Sequence, residues 1–160
     1  MDSETRKKLI DQYKDGYRVV AEALVGATPE ELDAHPAPGK WSAREVVHHL
    51  GDSEMAAAFR LRLLLAVDRA AIAGYDQDQF ARRLHYDRPH EASLEAFKAA
   101  RRSTAELLDA MTDADWSREG THTEHGCYTI ERWLEIYATH AHKHAEQILV
   151  ARDAGKKKSA

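Results

Sequence analysis

Histidine is the residue type that stands out in this chain of 160 residues: there are ten, against three Trp and three Phe. Imidazole binds divalent transition metals and exchanges protons near neutral pH, so where the rings point decides which chemistry is open. His140 and His144 lie one helical turn apart. On a helical wheel with Trp133 at zero, Tyr137, Ala141, Ile148 and Ala151 form an apolar stripe, with His140 at about −20° and His144 at about +20° inside it. His142 falls near 180°, toward solvent. Two imidazoles side by side on a buried face are unfavourable unless something binds their lone pairs. The i,i+4 spacing lets both reach one metal ion.

A third ring comes from another helix by the same geometry. With Val46 at zero, Leu50, Ala57 and Leu64 mark the inward face. His49 lies at about −60° on its flank, while His48 at about 200° points away. A single histidine on an apolar face is ordinarily a packed residue with one satisfied hydrogen bond, but three inward rings favour a metal. Ser53, one turn beyond His49, faces inward and lines the same space. Gln147, about 40° off the stripe, is placed to orient a ligand through a hydrogen bond or simply to flank it. No HExxH motif sets a glutamate beside the pair. Glu124, with His122 and His125 in the segment before the last helix, is the weak candidate for a general base, and a solvated turn explains it equally well. Glu54, near the inner edge of its helix, reads as a salt-bridge partner, and Arg101, near the inward face of the third long helix, as pairing with a core carboxylate rather than binding an anionic substrate group. Cys127, the single cysteine, reads as a small packing residue.

The elements that must position these rings are helices. Alanine occurs 27 times and Val plus Ile only 12, a balance that favours helix over strand. The apolar spacing predicts long helices over about 5–25, 42–73, 93–111 and from 129 until it fades near Asp153 and Gly155. Ser42 and Glu45 form a capping box, with Trp41 and Val46 as a hydrophobic staple. Short helices are predicted after Thr28 and around 77–84, and a loop of about 17 residues spans 112–128, long enough to suggest function. The fold class is therefore all-α, a four-helix bundle with short extra helices and one long loop before the last helix. A single domain spans 1–153, followed by a disordered basic tail at 154–160.

Net charge is −4, and the terminal lysines 156–158 contribute +3 of it. An acidic body offers no basic face for phosphates, so no nucleic-acid partner is expected. No apolar run approaches the roughly 18 residues of a membrane span. One cysteine excludes an internal disulfide framework and thiolate cages. The first ten residues lack a signal-peptide core, so a cytoplasmic location is expected.

The segments GKWSAREVVHHLGDSE at 39–54 and HAHKHAEQI at 140–148 resemble the DinB-like superfamily, most closely the YfiT-type metal-dependent hydrolases. GYDQDQFA at 74–81, SLEAF at 93–97, DADWSREGTHTEHG at 113–126 and the tryptophan of IERWL extend the likeness from about Tyr13 to Ala151. The resemblance implies a metal held by His49, His140 and His144, the rings chosen above by geometry. It also implies zinc or nickel as cofactor, a homodimer and a small-molecule substrate. Three neutral imidazoles leave one or more positions open on a divalent ion. Such a site suits hydrolysis by an acidified water. The alternatives are thiol-dependent S-transfer, known among relatives, and a non-catalytic metal-binding homodimer.

Overall fold

The computed structural model describes the backbone of residues 1–159 and side chains through Lys157. In chain order the elements are α1 (Ser3–Leu24), α2 (Pro29–Asp33), α3 (Ala43–Ala66), β1 (Ala70–Ile72), α4 (Gln77–Arg83), α5 (Glu91–Ala110), α6 (Asp113–Trp116), β2 (Glu119–His122), β3 (Gly126–Thr129) and α7 (Ile130–Ser159). The four long helices α1, α3, α5 and α7 form the bundle, with α1 lying mainly along α7 and α3 along α5. The predicted cap of α3 is present: the Glu45 amide donates to Ser42 Oγ, and the Ser42 amide donates to Glu45 Oε2 at 2.7 Å. The core has two clusters. One gathers Leu61, Leu64, Trp133 and Leu134 at the sheet end, and the other gathers Val46, Val47, Leu50, Phe97 and Ile148 toward α2.

One buried ion pair ties the four long helices together. Arg101 of α5 donates from Nη1 to Glu54 Oε2 of α3 at 2.6 Å, from Nε to the Tyr13 carbonyl of α1 at 2.6 Å, and from Nη2 to the Tyr137 carbonyl of α7 at 2.7 Å. Tyr13 Oη donates to the other oxygen of Glu54. Arg101 and Glu54 thus take the structural role expected of them. Gly16 makes room for this hub, since a Cβ there would lie 2.7 Å from both the Arg101 guanidinium and Ala141 Cβ.

Four sequence expectations are corrected. The second long helix stops at Ala66 rather than near Ala73. Arg69 takes a positive φ of 53°, and the Leu64 carbonyl, which would accept from a further turn of helix, instead accepts from Arg118 Nε at 2.8 Å. The long loop over 112–128 instead holds α6 and the β2–β3 hairpin. With β1 these strands form a small sheet in the order β1-β2-β3, parallel then antiparallel, beside the predicted four-helix bundle. Helix α7 runs on to Ser159 rather than fading at Asp153. It is held there by Arg152 Nε donating to Glu31 at 2.7 Å and by Gly155, whose lack of a side chain lets α7 lie against α2. Finally, His142 is half-buried and faces Asp15 of α1 at 3.4 Å rather than open solvent.

Removing one partner of the Arg101–Glu54 pair strands the other charge in the core. Arg101→Met is expected to lower unfolding free energy by about 3–5 kcal/mol, and adding Glu54→Leu to recover most of that loss, as read from urea midpoints.

Candidate metal centre

Helices α3 and α7 approach just beyond the Arg101 hub, and their inward histidines meet there. One imidazole nitrogen from each of His49, His140 and His144 lies within 4.8 Å of the other two. Ring centroids are 5.3 Å apart for His49 and His140, 4.7 Å for His49 and His144, and 4.4 Å for His140 and His144. Trp41, just before α3, closes one side with its ring 4.9 Å from His49. The neighbouring His48 points away from this cluster, as its wheel angle predicts. It is fully buried against α5, its Nε2 facing the Arg88 carbonyl at 3.1 Å and its Nδ1 the Ser93 hydroxyl at 2.7 Å.

Hydrogen bonding assigns lone pairs to the cluster. His144 Nδ1 donates to Gln147 Oε1 at 2.7 Å, which leaves Nε2 as the bare nitrogen of that ring. His144 Nε2 faces His140 Nε2 at 3.1 Å. Two nitrogens bound at about 2.0–2.1 Å to one ion, at cis-octahedral to tetrahedral angles, are about 2.9–3.4 Å apart. The Nδ1 atoms of His49 and His140 are buried without a hydrogen-bond partner among the described residues. The donor set therefore fits a divalent transition ion, which three imidazoles ligate as neutral bases.

Electrostatics agree with that fit. Burial, with the neighbouring His144, pushes His49 down to about 3. Burial, with the two other rings, holds His140 well below the usual imidazole range, and burial lowers His144 despite its bond to Gln147. All three rings are neutral near pH 7, the state that binds a metal.

The cluster separates two spaces. A cavity of 170 Å³ is lined by His49, His140 and Ser53 from the helices and by His122, Glu124 and His125 from the β2–β3 turn. A groove of 840 Å³ lies on the other side, with His144, Gln147, Trp41, Lys40 and Lys143 among its walls. Gln77 lines both. Glu124, distant from the three rings in sequence, is thus brought to the same cavity, its carboxylate against the Gly74 backbone. Arg60 adds a cation there, held by Tyr137 Oη at 3.0 Å and the Ala73 carbonyl at 2.6 Å. Sequence reasoning missed Arg60 because its place depends on the turn after β1. Cys127 is exposed rather than packed as the sequence suggests; it donates to Glu119 at 3.3 Å, and that carboxylate pushes its thiol up, away from a reactive thiolate.

The lowered histidines make stability pH-dependent in the metal-free protein. The folded value for His49 is about 3 against 6.5 for a free ring, so the unfolded chain takes up that proton first. The contribution is complete above pH 6.5 and is lost as pH falls toward 3, at up to about 1.4 kcal/mol per pH unit for each such ring. Urea midpoints measured from pH 7 to pH 4 are expected to fall, and to fall less steeply in His49→Gln.

The sequence profile of the DinB superfamily matches residues 12–148. A relative from Oceanobacillus iheyensis, named "Putative metal-dependent hydrolase", is 32% identical over 139 residues, covering 87% of this chain and 81% of its own. YfiT of Bacillus subtilis, which carries the same description, is 27% identical over 150 residues, covering 92% and 84%. The solved structure of YfiT, described as a probable metal-dependent hydrolase with an unusual four-helix bundle topology, superposes with a TM-score of 0.88 at 25% identity over 99% of this chain and 90% of that one. Family profile, relatives and bundle agree, and the chain belongs to the DinB superfamily.

Proposed function

We propose that this chain is a metal-dependent hydrolase of small molecules that holds one divalent cation, zinc or nickel, on His49, His140 and His144. The observation that carries this reading is the convergence of three neutral imidazoles from two helices at the boundary between a cavity and a groove. A divalent cation bound there supplies Lewis acidity, lowering the pKa of water toward neutrality and polarising a carbonyl.

The chain's own residues supply the rest. Gln147 fixes the ring of His144 and keeps its Nε2 lone pair directed into the cluster. Glu124 takes the proton from the attacking water as the new carbon–oxygen bond forms, and returns it to the leaving group as the bond between that carbon and the leaving group breaks. Arg60 places a positive charge beside the cavity, which favours substrates that carry or develop negative charge. The groove beside His144 accommodates the rest of the substrate.

The same groove favours one second reading. Lys40 and Lys143 on its walls suit an anionic thiol co-substrate, whose thiolate the same cation would stabilise for S-transfer. Either activity is proposed for a homodimer, as the family resemblance implies, located in the cytoplasm.

Elemental analysis of untagged protein is expected to find one equivalent of zinc or nickel per chain, lost in His144→Ala. Retention of that equivalent by the variant would remove the proposed site. Gln147→Ala is expected to weaken metal affinity about 10–100-fold. Glu124→Gln is expected to keep the metal and lose about 10²–10⁴-fold in turnover in assays across esters, amides and thiol–electrophile pairs. The class of substrate turned over decides between hydrolysis and S-transfer.

A further inference from the structure

The β2–β3 turn brings a second histidine chemistry to the cavity. His122, at the end of β2, is buried, its ring stacked on His125 at 4.7 Å and lying 5.2 Å from Tyr128. The turn that carries it is tied down on both sides: the Thr123 amide donates to the Ile72 carbonyl at 2.9 Å, and the Gly74 amide donates to Thr123 Oγ1 at 2.9 Å. Within the turn, the Glu124 amide donates to His122 Nδ1 at 3.1 Å. An Nδ1 that accepts a hydrogen bond has no proton, so in the neutral ring the proton sits on Nε2. Burial, Arg60 and His125 all lower the affinity of this ring for a second proton, which keeps it neutral.

His122 is therefore unlike His49, His140 and His144. Those rings bring one nitrogen each within 4.8 Å of the others, whereas His122 bears a fixed N–H on Nε2, which finds no acceptor among the described hydrogen bonds. His122, Glu124 and His125 also lie close enough to resemble a second ligand set. Metal at His122 Nε2 would require the Nδ1 proton that the Glu124 amide displaces, so the backbone selects the donor form over the ligand form. Arg60 contributes charge beside this donor and is itself positioned by one hydrogen bond from each terminal nitrogen, to Tyr137 Oη and the Ala73 carbonyl.

We propose that His122, which lines the cavity shared with His49 and His140, is a catalytic hydrogen-bond donor: its neutral Nε2–H binds the oxygen that becomes negative as substrate is attacked. No proton is transferred from it; the ring stabilises charge, as an oxyanion-hole donor does. The proposal rests on the hydrolase reading for the identity of that oxygen, and it divides the labour within one turn, with Glu124 accepting a proton and His122 donating a hydrogen bond.

Two measurements test it. In uniformly ¹⁵N-labelled protein at pH 7, long-range proton–nitrogen correlations are expected to show His122 neutral with its proton on Nε2. A proton on Nδ1, or a doubly protonated ring, would overturn the assignment. In zinc-loaded protein, calorimetric titration with methylphosphonate, a tetrahedral oxyanion, is expected to show binding that weakens about 10–100-fold in His122→Phe and is partly restored in His122→Gln, which keeps an N–H. Zinc content is expected to stay at one equivalent in both variants. Binding equal in all three proteins, no binding by the wild type, or a second zinc lost on changing His122 would each sink the proposal. Loss of the hydrolase reading shows itself separately, as metal retained by His144→Ala.

Discussion

The fully buried guanidinium of Arg101 is the contact on which the rest of this structure depends. It reaches from α5 to a carboxylate on α3 and to backbone carbonyls on α1 and α7, so it fixes the relative height of all four long helices. The carbonyl it holds on α7 belongs to Tyr137, one turn before His140, and the carboxylate on α3 belongs to Glu54, just over one turn after His49. A buried charge is costly unless every donor finds a partner, and here the required partners are what set α3 against α7. The imidazole cluster lies directly above that constraint.

Placing three imidazoles in contact away from water is itself unfavourable, and the fold concentrates that cost at one corner. Each ring is neutral because burial removes the hydration that a charged ring needs. Two ring nitrogens stay buried without partners, and local rule-breaking of this kind is expected at sites kept for chemistry. The β2–β3 turn closes the far side and brings a carboxylate and a fourth, differently protonated imidazole. The centre is thus assembled from a rigid pair of helices carrying lone pairs and a tethered turn carrying proton chemistry.

Much of this was legible in the sequence because helices convert spacing directly into direction. His140 and His144 share a face by the helical period, and the wheel separates His49 from His48 although the two are adjacent. The capping box at Ser42 set the phase of α3 and hence the direction of His49. The small sheet was not legible. Its strands, AAI, EGTH and GCYT, contain little of the β-branched alternation that marks a strand, and the pairing of β1 with β2 joins residues about fifty positions apart. Without that pairing the segment after Ala66 keeps its helical composition, so α3 reads too long. The end of α7 was misjudged for a related reason, because its anchor lies in α2, a contact that no local pattern records. Glu124 could be named as a candidate, but its arrival beside His49 and His140 is a property of the sheet.

X-ray absorption at the metal edge of the zinc- or nickel-loaded protein tests the central claim most directly. The account predicts three imidazole nitrogens at about 2.0–2.1 Å with the remaining positions filled by light atoms, and one fewer imidazole when His49 is replaced by alanine. A spectrum with a sulfur neighbour, or with fewer than three imidazoles in the unmodified protein, would contradict it.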